Sequence, residues 1–364
     1  MVKSYKAVSL FSGAGGMDVG FAKAGFEIFW ANDFNKDACK TYEMNFGPHI
    51  VCDDINNNLD KLSSFSNIDV VFGGPPCQGF SVAGKMDPND ERSKLVWSFL
   101  TAIEIIRPRI FVMENVKSLA TLSQFEKIRE NLITKAITLG YSVDLVVLNA
   151  KDYGVPQSRE RMFLVGIYKF QEGIDFYKTV QKYKDSCKAV RDVILPLGRA
   201  GTANNKRICN AKITIAAKPV LRRSPYAGML FNGQGRPTNP DLPACTLHAS
   251  MGGNRTPIID ENHLFDNAPS WVEQYHAHLM NGGKPYPMNA APDFLRRLTI
   301  DEALLLQTFP VDYQFYGSQS SIYRQIGNAV PCKLAEVVAK SVIDLLENRI
   351  DIDKTSSSQL TLCI

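Results

Sequence analysis

The stretch KAVSLFSGAGGMDVGFAKAGFEIFWAND, Lys6 to Asp33, decides the fold. A short apolar run rich in β-formers stops at glycines, a helical segment follows, and a second such run closes on an acid. The same rhythm continues outward. DVVFGG, RIFVMEN, SVDLVVLNA and RMFLVGIY read as further strands, with helical patterns such as KDACKTYEMN and KLVWSFLTAIEII between several of them. Strand–helix alternation of this kind predicts an α/β fold with a doubly wound, mostly parallel sheet. Ligands then gather at the carboxyl ends of the strands, so the residues that close each strand become the informative ones.

The rhythm holds over residues 1–170 and fails over 171–292. The latter is rich in Gly, Pro and Asn and predicts a second, smaller domain of mostly irregular and β character, without a long helix. Helical periodicity returns over 293–347, a C-terminal segment expected to complete the first domain, and 348–364 is expected to form a frayed polar tail. From Gln171 to Ala290 there are 15 Lys/Arg against 9 Asp/Glu, within a chain whose net charge is +4. A basic, loop-rich insert on a near-neutral body fits contact with a phosphate backbone.

Composition sets the outer bounds. With 364 residues, 45% hydrophobic and 21% charged, the chain is of soluble globular type, and no apolar run approaches the ~20 residues of a membrane span. Eight scattered cysteines, with no CxxC pair and no Cys/His cluster, argue against a metal site and a disulfide frame. They fit a reducing cytoplasm.

Two sites emerge at the strand ends. The glycines of LFSGAGGMDVG let a ligand approach the backbone, and Asp33 can take the hydroxyls of a ribose. Asp18 stands where the strict dinucleotide pattern has its third glycine; a carboxylate there would repel a pyrophosphate. Asp54 is placed for an adenine amino group. This charge pattern favours S-adenosyl-L-methionine over NAD. In GGPPCQGFSVAGK, Pro75 and Pro76 fix the approach to Cys77, and the glycines beyond permit a loop that closes over substrate. A thiol there reads as a nucleophile. Glu114 closes the next strand, and Arg159 and Arg161 in QSRERMF precede another. Addition of Cys77 at C6 of cytosine, with Glu114 holding or donating a proton at N3, would make C5 a carbon able to take a methyl group.

With those residues in view, the chain resembles a DNA (cytosine-5) methyltransferase of the bacterial restriction-modification type. FSGAGGMDVGF, ANDF, DDI, GGPPCQGFS, ENV, QSRER, RRLTIDEALLLQTFP and YRQIGNAVP follow in the family's order across nearly all of residues 5–345. The resemblance implies a Rossmann-like S-adenosylmethionine-dependent methyltransferase fold. Cys77 would be the nucleophile, Glu114 its N3 partner, and Arg159 and Arg161 the supporting pair. It puts Phe11, Gly13, Gly15, Gly16, Asp33, Phe34, Asp54, Ile55, Pro76, Leu95, Asn328 and Ala329 on cofactor-contacting positions. Phe34 stands where Trp or Tyr is often found. Gln78 and Ser81 fall where a mobile loop meets DNA, and residues 171–292 become a target-recognition domain receiving duplex DNA with the target cytosine flipped out. Arg222, Arg223, Arg236 and Arg255 are candidate groove or phosphate contacts there. The implied setting is a cytoplasmic, nucleoid-associated enzyme, monomeric on double-stranded DNA, without metal or membrane and paired functionally with a restriction endonuclease. Three other readings stand beside it: a tRNA cytosine-5 methyltransferase on the same core, an NAD-dependent oxidoreductase, and a DNA-binding module without catalysis.

Overall fold

The computed structural model describes residues 4–76, 94–170 and 175–360, with side chains described as far as residue 347. The chain divides into two compact units. The first is Met1–Asn149, Glu160–Lys184 and Cys332–Ile364; the second is Ala150–Arg159 and Asp185–Pro331.

The first unit is built on a seven-stranded sheet. Its strands are β1 (Tyr5–Leu10), β2 (Phe26–Asp33), β3 (Ile50–Cys52), β4 (Val70–Gly73), β5 (Ile110–Val116), β6 (Tyr141–Asn149) and β7 (Glu160–Tyr168), in spatial order β3-β2-β1-β4-β5-β7-β6. From β3 to β5 every pairing is parallel. The inner strands are near-continuous apolar runs because helices cover both faces. β7 inserts antiparallel between β5 and β6. The helices α1 (Gly16–Ala24), α2 (Lys36–Phe46), α3 (Leu95–Ile106) and α4 (Glu126–Thr138) lie between strands. α2 begins where Asn35 accepts the Ala38 N–H, at 3.0 Å, a side-chain cap for an otherwise orphaned donor. Val8, Val71, Phe99, Ile103, Phe111 and Leu164 belong to its main core.

A helix over Cys332–Leu360 returns to this unit. Gly20 of α1 marks the contact: a Cβ there would stand 2.4 Å from the Glu336 nitrogen and 2.6 Å from Ala335, so any larger residue would push the helices apart. Nor does the helix stop at 347, where the polar tail was expected to fray. Residues 348–360 contain no Gly or Pro to end it, and it runs through the serines to Leu360.

In the second unit, β8 (Ile215–Val220) and β9 (Met229–Phe231) form a hairpin, and β10 (Ile258–Asp260) pairs antiparallel with β11 (Leu295–Arg297). Around them lie α5 (Trp271–Met280), α6 (Ile300–Leu306) and α7 (Gln319–Asn328). Ile215, Leu230, Phe231, Ile258, Val272, Tyr275, Leu279 and Leu295 make its core. The ten-residue α5 departs from the expectation of a helix-poor region. Ser270 caps it by accepting from the Glu273 N–H, so SWVE carries the Ser-x-x-Glu signature of a helix start. Residues 293–331, expected with the first domain, group with the second unit. Arg296 is bound there to Glu302 at 2.7 Å and Glu261 at 3.0 Å. Arg297, buried, gives Nη1 to the Thr256 carbonyl at 2.8 Å.

Candidate active site

Sheet register determines which residues meet at the carboxyl edge of the first unit. Leu10 pairs with both Asn32 and Gly73, Gly73 pairs with Met113, and Asp33 pairs with Cys52. The residues that follow therefore leave the sheet at one level: Phe11 to Gly16 after β1, Asp33 at the end of β2, and Gly74 to Pro76 after β4. Glu114 stands level with them on β5. The chain passes from β1 outward to β3 and returns to β4 on the other side of β1, so this edge is also the switch point where doubly wound sheets bind ligands.

The glycine loop is held open from below. Phe11, Gly13 and Gly15 all have left-handed backbones, with φ of 54°, 54° and 82°; at Phe11 this costs strain that glycine avoids. Asp33 ties the loop to β2. Its Oδ2 accepts the Gly13 N–H and its Oδ1 the Asn35 N–H, both at 2.8 Å. Burial pushes the Asp33 carboxyl up, opposed by the N–H groups of Asn35, Gly13 and Phe34. A Cβ on Gly13 would meet nothing within 4 Å, which leaves space over the loop for a ligand. Beside it the Phe34 ring is 62% exposed, a bare aromatic face next to a carboxylate with lone pairs left over. A nucleoside fits this pairing: hydroxyls on the acid and a base on the ring.

Asp18 does not play the part its position suggested. Its side chain is 0% exposed, and its carboxyl accepts from the Tyr42 hydroxyl at 3.0 Å, which in turn meets His49 Nε2 at 3.2 Å. Burial pushes it up to about 7, with the Ser9 and Tyr42 hydroxyls pulling the other way. It is turned inward onto Tyr42 and has no exposed surface to meet a ligand, so the argument from a carboxylate facing a pyrophosphate loses its direct contact.

The second half of the edge is built around Glu114. A Cβ on Gly74 would stand 2.8 Å from Glu114 Oε2, so any larger residue there would displace the carboxylate from its present place. Asn115, 1% exposed, donates to the Pro75 carbonyl at 3.2 Å and pins the chain two residues before Cys77. Antiparallel β7 opens at this edge. Val116 pairs with Arg161 and Glu114 with Phe163, which makes Glu114 and Arg161 diagonal neighbours on one face. Arg161 Nε meets Glu114 Oε1 at 2.9 Å, with both side chains largely buried.

A model of the C-5 cytosine-specific DNA methylase family matches residues 5–344. The chain belongs to that family. It is 34% identical over 359 residues to the Type II methyltransferase M.FnuDI of Fusobacterium nucleatum, covering 96% of this chain and 97% of that one. It is 33% identical to the Type II methyltransferase M.MthTI of Methanothermobacter thermautotrophicus, covering 93% and 97%. Among solved structures, the S. pombe Dnmt2 methyltransferase superposes with a TM-score of 0.63 over 94% of this chain and 99% of that one. At 19% identity it speaks for the shared fold alone.

Other residues expected from the family pattern are placed as follows. Asp54, just past β3, accepts from the Asn56 N–H at 2.8 Å and remains exposed. Ile55 is 2% exposed and packed in the main core, so its side chain has little surface to offer a cofactor. Leu95 opens α3, half-buried. Cys77, Gln78 and Ser81 lie outside the described residues. Arg159 is not a twin of Arg161. It is 1% exposed and gives Nη1 to the Leu247 carbonyl and Nη2 to the Gly327 carbonyl, both at 2.8 Å, within the second unit.

Sequence reasoning missed the assembly to which Arg159 belongs. Gln157 accepts the Leu247 N–H and donates to Gln307 Oε1, each at 2.9 Å. Gln307 donates to the Ile326 and Ala329 carbonyls. A Cβ on Gly327 would meet the His248 backbone at 2.5 Å. These buried amides bind QSR, TLHA, LLLQ and IGNA into one knot that sets the turn bearing Asn328, exposed, and Ala329, half-buried. The one signal was Gln307 closing the apolar run LLL; Gln157 and Arg159 lie in the polar stretch QSRER, where nothing sets them apart. Arg222, Arg223, Arg236 and Arg255 are all exposed on the second unit. Among the described residues no group of His, Cys, Asp and Glu could hold a metal, and no helix is long and apolar enough to cross a membrane.

Proposed function

We propose that the chain methylates C5 of a flipped-out cytosine within a specific duplex DNA sequence, by way of a covalent bond between Cys77 and C6. The observation that carries this reading is the level exit of the glycine loop, the Gly74–Pro76 segment and Glu114 from one sheet edge, with Arg161 on Glu114, in a member of the cytosine-5 family.

Residue roles follow from the chemistry. Asp33 and Phe34 hold the ribose and adenine of S-adenosylmethionine, with Phe11, Gly13, Gly15, Gly16, Asp54, Leu95, Pro76, Asn328 and Ala329 lining the rest. The bound donor supplies an electrophilic methyl group. The Cys77 thiolate adds to C6 while Glu114, steadied by Arg161, holds or gives a proton at N3, and the electron pair of the former C5–C6 double bond becomes available at C5. After C5 is methylated, loss of its proton and departure of the thiolate restore the aromatic ring. Gln78 and Ser81 contact the DNA backbone, and residues 171–292 read the target. Arg159 completes the knot of the second unit that holds the turn bearing Asn328 and Ala329. Relatives at 31–34% identity are Type II methyltransferases, which supports a role in protecting DNA from a cognate restriction endonuclease.

The test uses mixed-sequence duplex DNA carrying 5-fluorocytosine, incubated with S-adenosylmethionine. Fluorine cannot leave as a proton does, so a denaturant-resistant protein–DNA complex should accumulate, and Cys77→Ala should abolish it. Absence of the complex with wild-type protein would overturn the mechanism. Methyl incorporation into tRNA but not duplex DNA would reassign the substrate.

A further inference from the structure

Residues 193–240 contain eight Lys or Arg and no Asp or Glu. Two of the eight are neutralised locally, Arg199 by Asp266 and Arg207 by Asp301. Among the described residues no ion pair involves Lys218, Arg222, Arg223 or Arg236, and all four are exposed. Three of these belong to one feature, the β8–β9 hairpin, with Lys218 on its first strand and Arg222 and Arg223 at its tip.

The tip is not a loose loop. Gly228 closes its base, since a Cβ there would stand 2.7 Å from the Val220 carbonyl. The Ala227 N–H bonds back to the Ser224 carbonyl at 3.1 Å. Helix α5 grips it at two points one turn apart. His276, 8% exposed, gives its Nε2–H to the Arg222 carbonyl at 2.8 Å. The Tyr226 hydroxyl donates to Glu273 Oε1 at 3.0 Å. Burial pushes that hydroxyl up to about 12, so it stays a donor throughout the working range. The helix is itself fixed: the Trp271 N–H bonds to Asp260 Oδ2 at 2.9 Å, and Val272, Tyr275 and Leu279 are buried in the unit's core. Two cationic side chains thus project from a backbone whose carbonyl and flanking ring are spoken for.

We propose that the β8–β9 hairpin tip is a preorganised contact for the phosphate backbone of duplex DNA, in which Arg222 and Arg223 touch phosphates while His276 and Tyr226 act as positioning residues. The proposal rests on the DNA-methylating reading above and deepens it by assigning this tip to charge-based, sequence-independent affinity rather than to base reading. A rigid cationic tip loses less ordering entropy on binding than a mobile one, and each phosphate it neutralises releases condensed counterions.

The experiment follows the affinity of the full chain for a mixed-sequence duplex of about 30 base pairs across 50–200 mM salt, by fluorescence anisotropy. Losing two phosphate contacts should make the log–log salt slope shallower by about 1.8, at 0.9 per phosphate. Over that fourfold range the wild-type affinity should then fall about 12-fold more than that of the Arg222→Ala/Arg223→Ala variant. His276→Ala keeps both charges, so its slope should match wild type while its affinity drops by about 2- to 10-fold at every salt concentration. Tyr226→Phe, which removes a single hydroxyl, should repeat that pattern and keeps the test valid if His276→Ala fails to fold. An unchanged slope in the double arginine variant would overturn the proposal. So would a slope change seen with tRNA and not with duplex DNA, or a slope change in Tyr226→Phe. Failure of the underlying function reads differently, as wild-type protein that incorporates no labelled methyl into DNA.

Discussion

Asp18→Asn tests the energetic cost of the buried carboxyl beneath the glycine loop. The unfolded chain releases this proton near pH 3.9, whereas burial pushes the native group up to about 7. Between those values the folded protein holds a proton that the unfolded chain has lost. Stability from this group is therefore fully present below about pH 4 and is lost as pH rises towards 7. Single-site linkage over pH 5 to pH 8 gives a loss of about 3 kcal/mol in unfolding free energy. Asparagine keeps an oxygen to accept from Tyr42 but has no proton to release. The assay is urea unfolding by circular dichroism at pH 5, 6, 7 and 8 for both proteins. Wild type should lose about 3 kcal/mol more than Asp18→Asn across the series, with the difference flattening at the alkaline end. Parallel pH profiles would refute the reasoning.

Further outcomes follow from the site. Gly74→Ala places a methyl 2.8 Å from Glu114 Oε2 and should lower kcat at least about 10-fold while donor affinity holds within about twofold; full turnover would count against the close approach. Phe34→Ala should weaken S-adenosylhomocysteine binding by about 1–3 kcal/mol in calorimetry, the scale of base–aromatic stacking, and an unaltered Kd would remove the ring from the cofactor site. Arg161→Ala should reduce turnover by about 100-fold or more with little change in urea midpoint. Arg159→Ala should instead destabilise the fold by about 3–6 kcal/mol, two charge-assisted bonds' worth; equal kinetic and stability profiles for the two variants would erase the distinction drawn between them.

Most of the first unit was legible because local pattern and tertiary role coincide there. Apolar runs that end in Gly or acid mark β1, β2, β4 and β5, and the level register of Leu10, Gly73 and Met113 follows once those strands are parallel neighbours. The antiparallel sense of β7 was not legible, since strand direction is set by how the chain returns and RMFLVGIY reads the same either way. Asp18 misled because a helix position fixes sequence spacing but not which neighbour receives the side chain; Tyr42 lies on another helix. Arg159 and Arg161 look equivalent in QSRER, yet one binds carbonyls of distant segments and the other a strand partner. Helix α5 was missed although SWVE carries a helix-start signature, because the Gly- and Pro-rich flanks dominated the reading.

The first unit is assembled from three separated stretches of polypeptide, and its opening helix seats Gly20 against Ala335 and Glu336 of the third stretch. A chain still emerging from the ribosome therefore has its glycine loop but not the surface on which the helix behind that loop rests. Assembly of this unit waits until the stretch that opens at Cys332 has been translated. Any truncation placed before Cys332 removes a wall of the opening helix rather than an appendage.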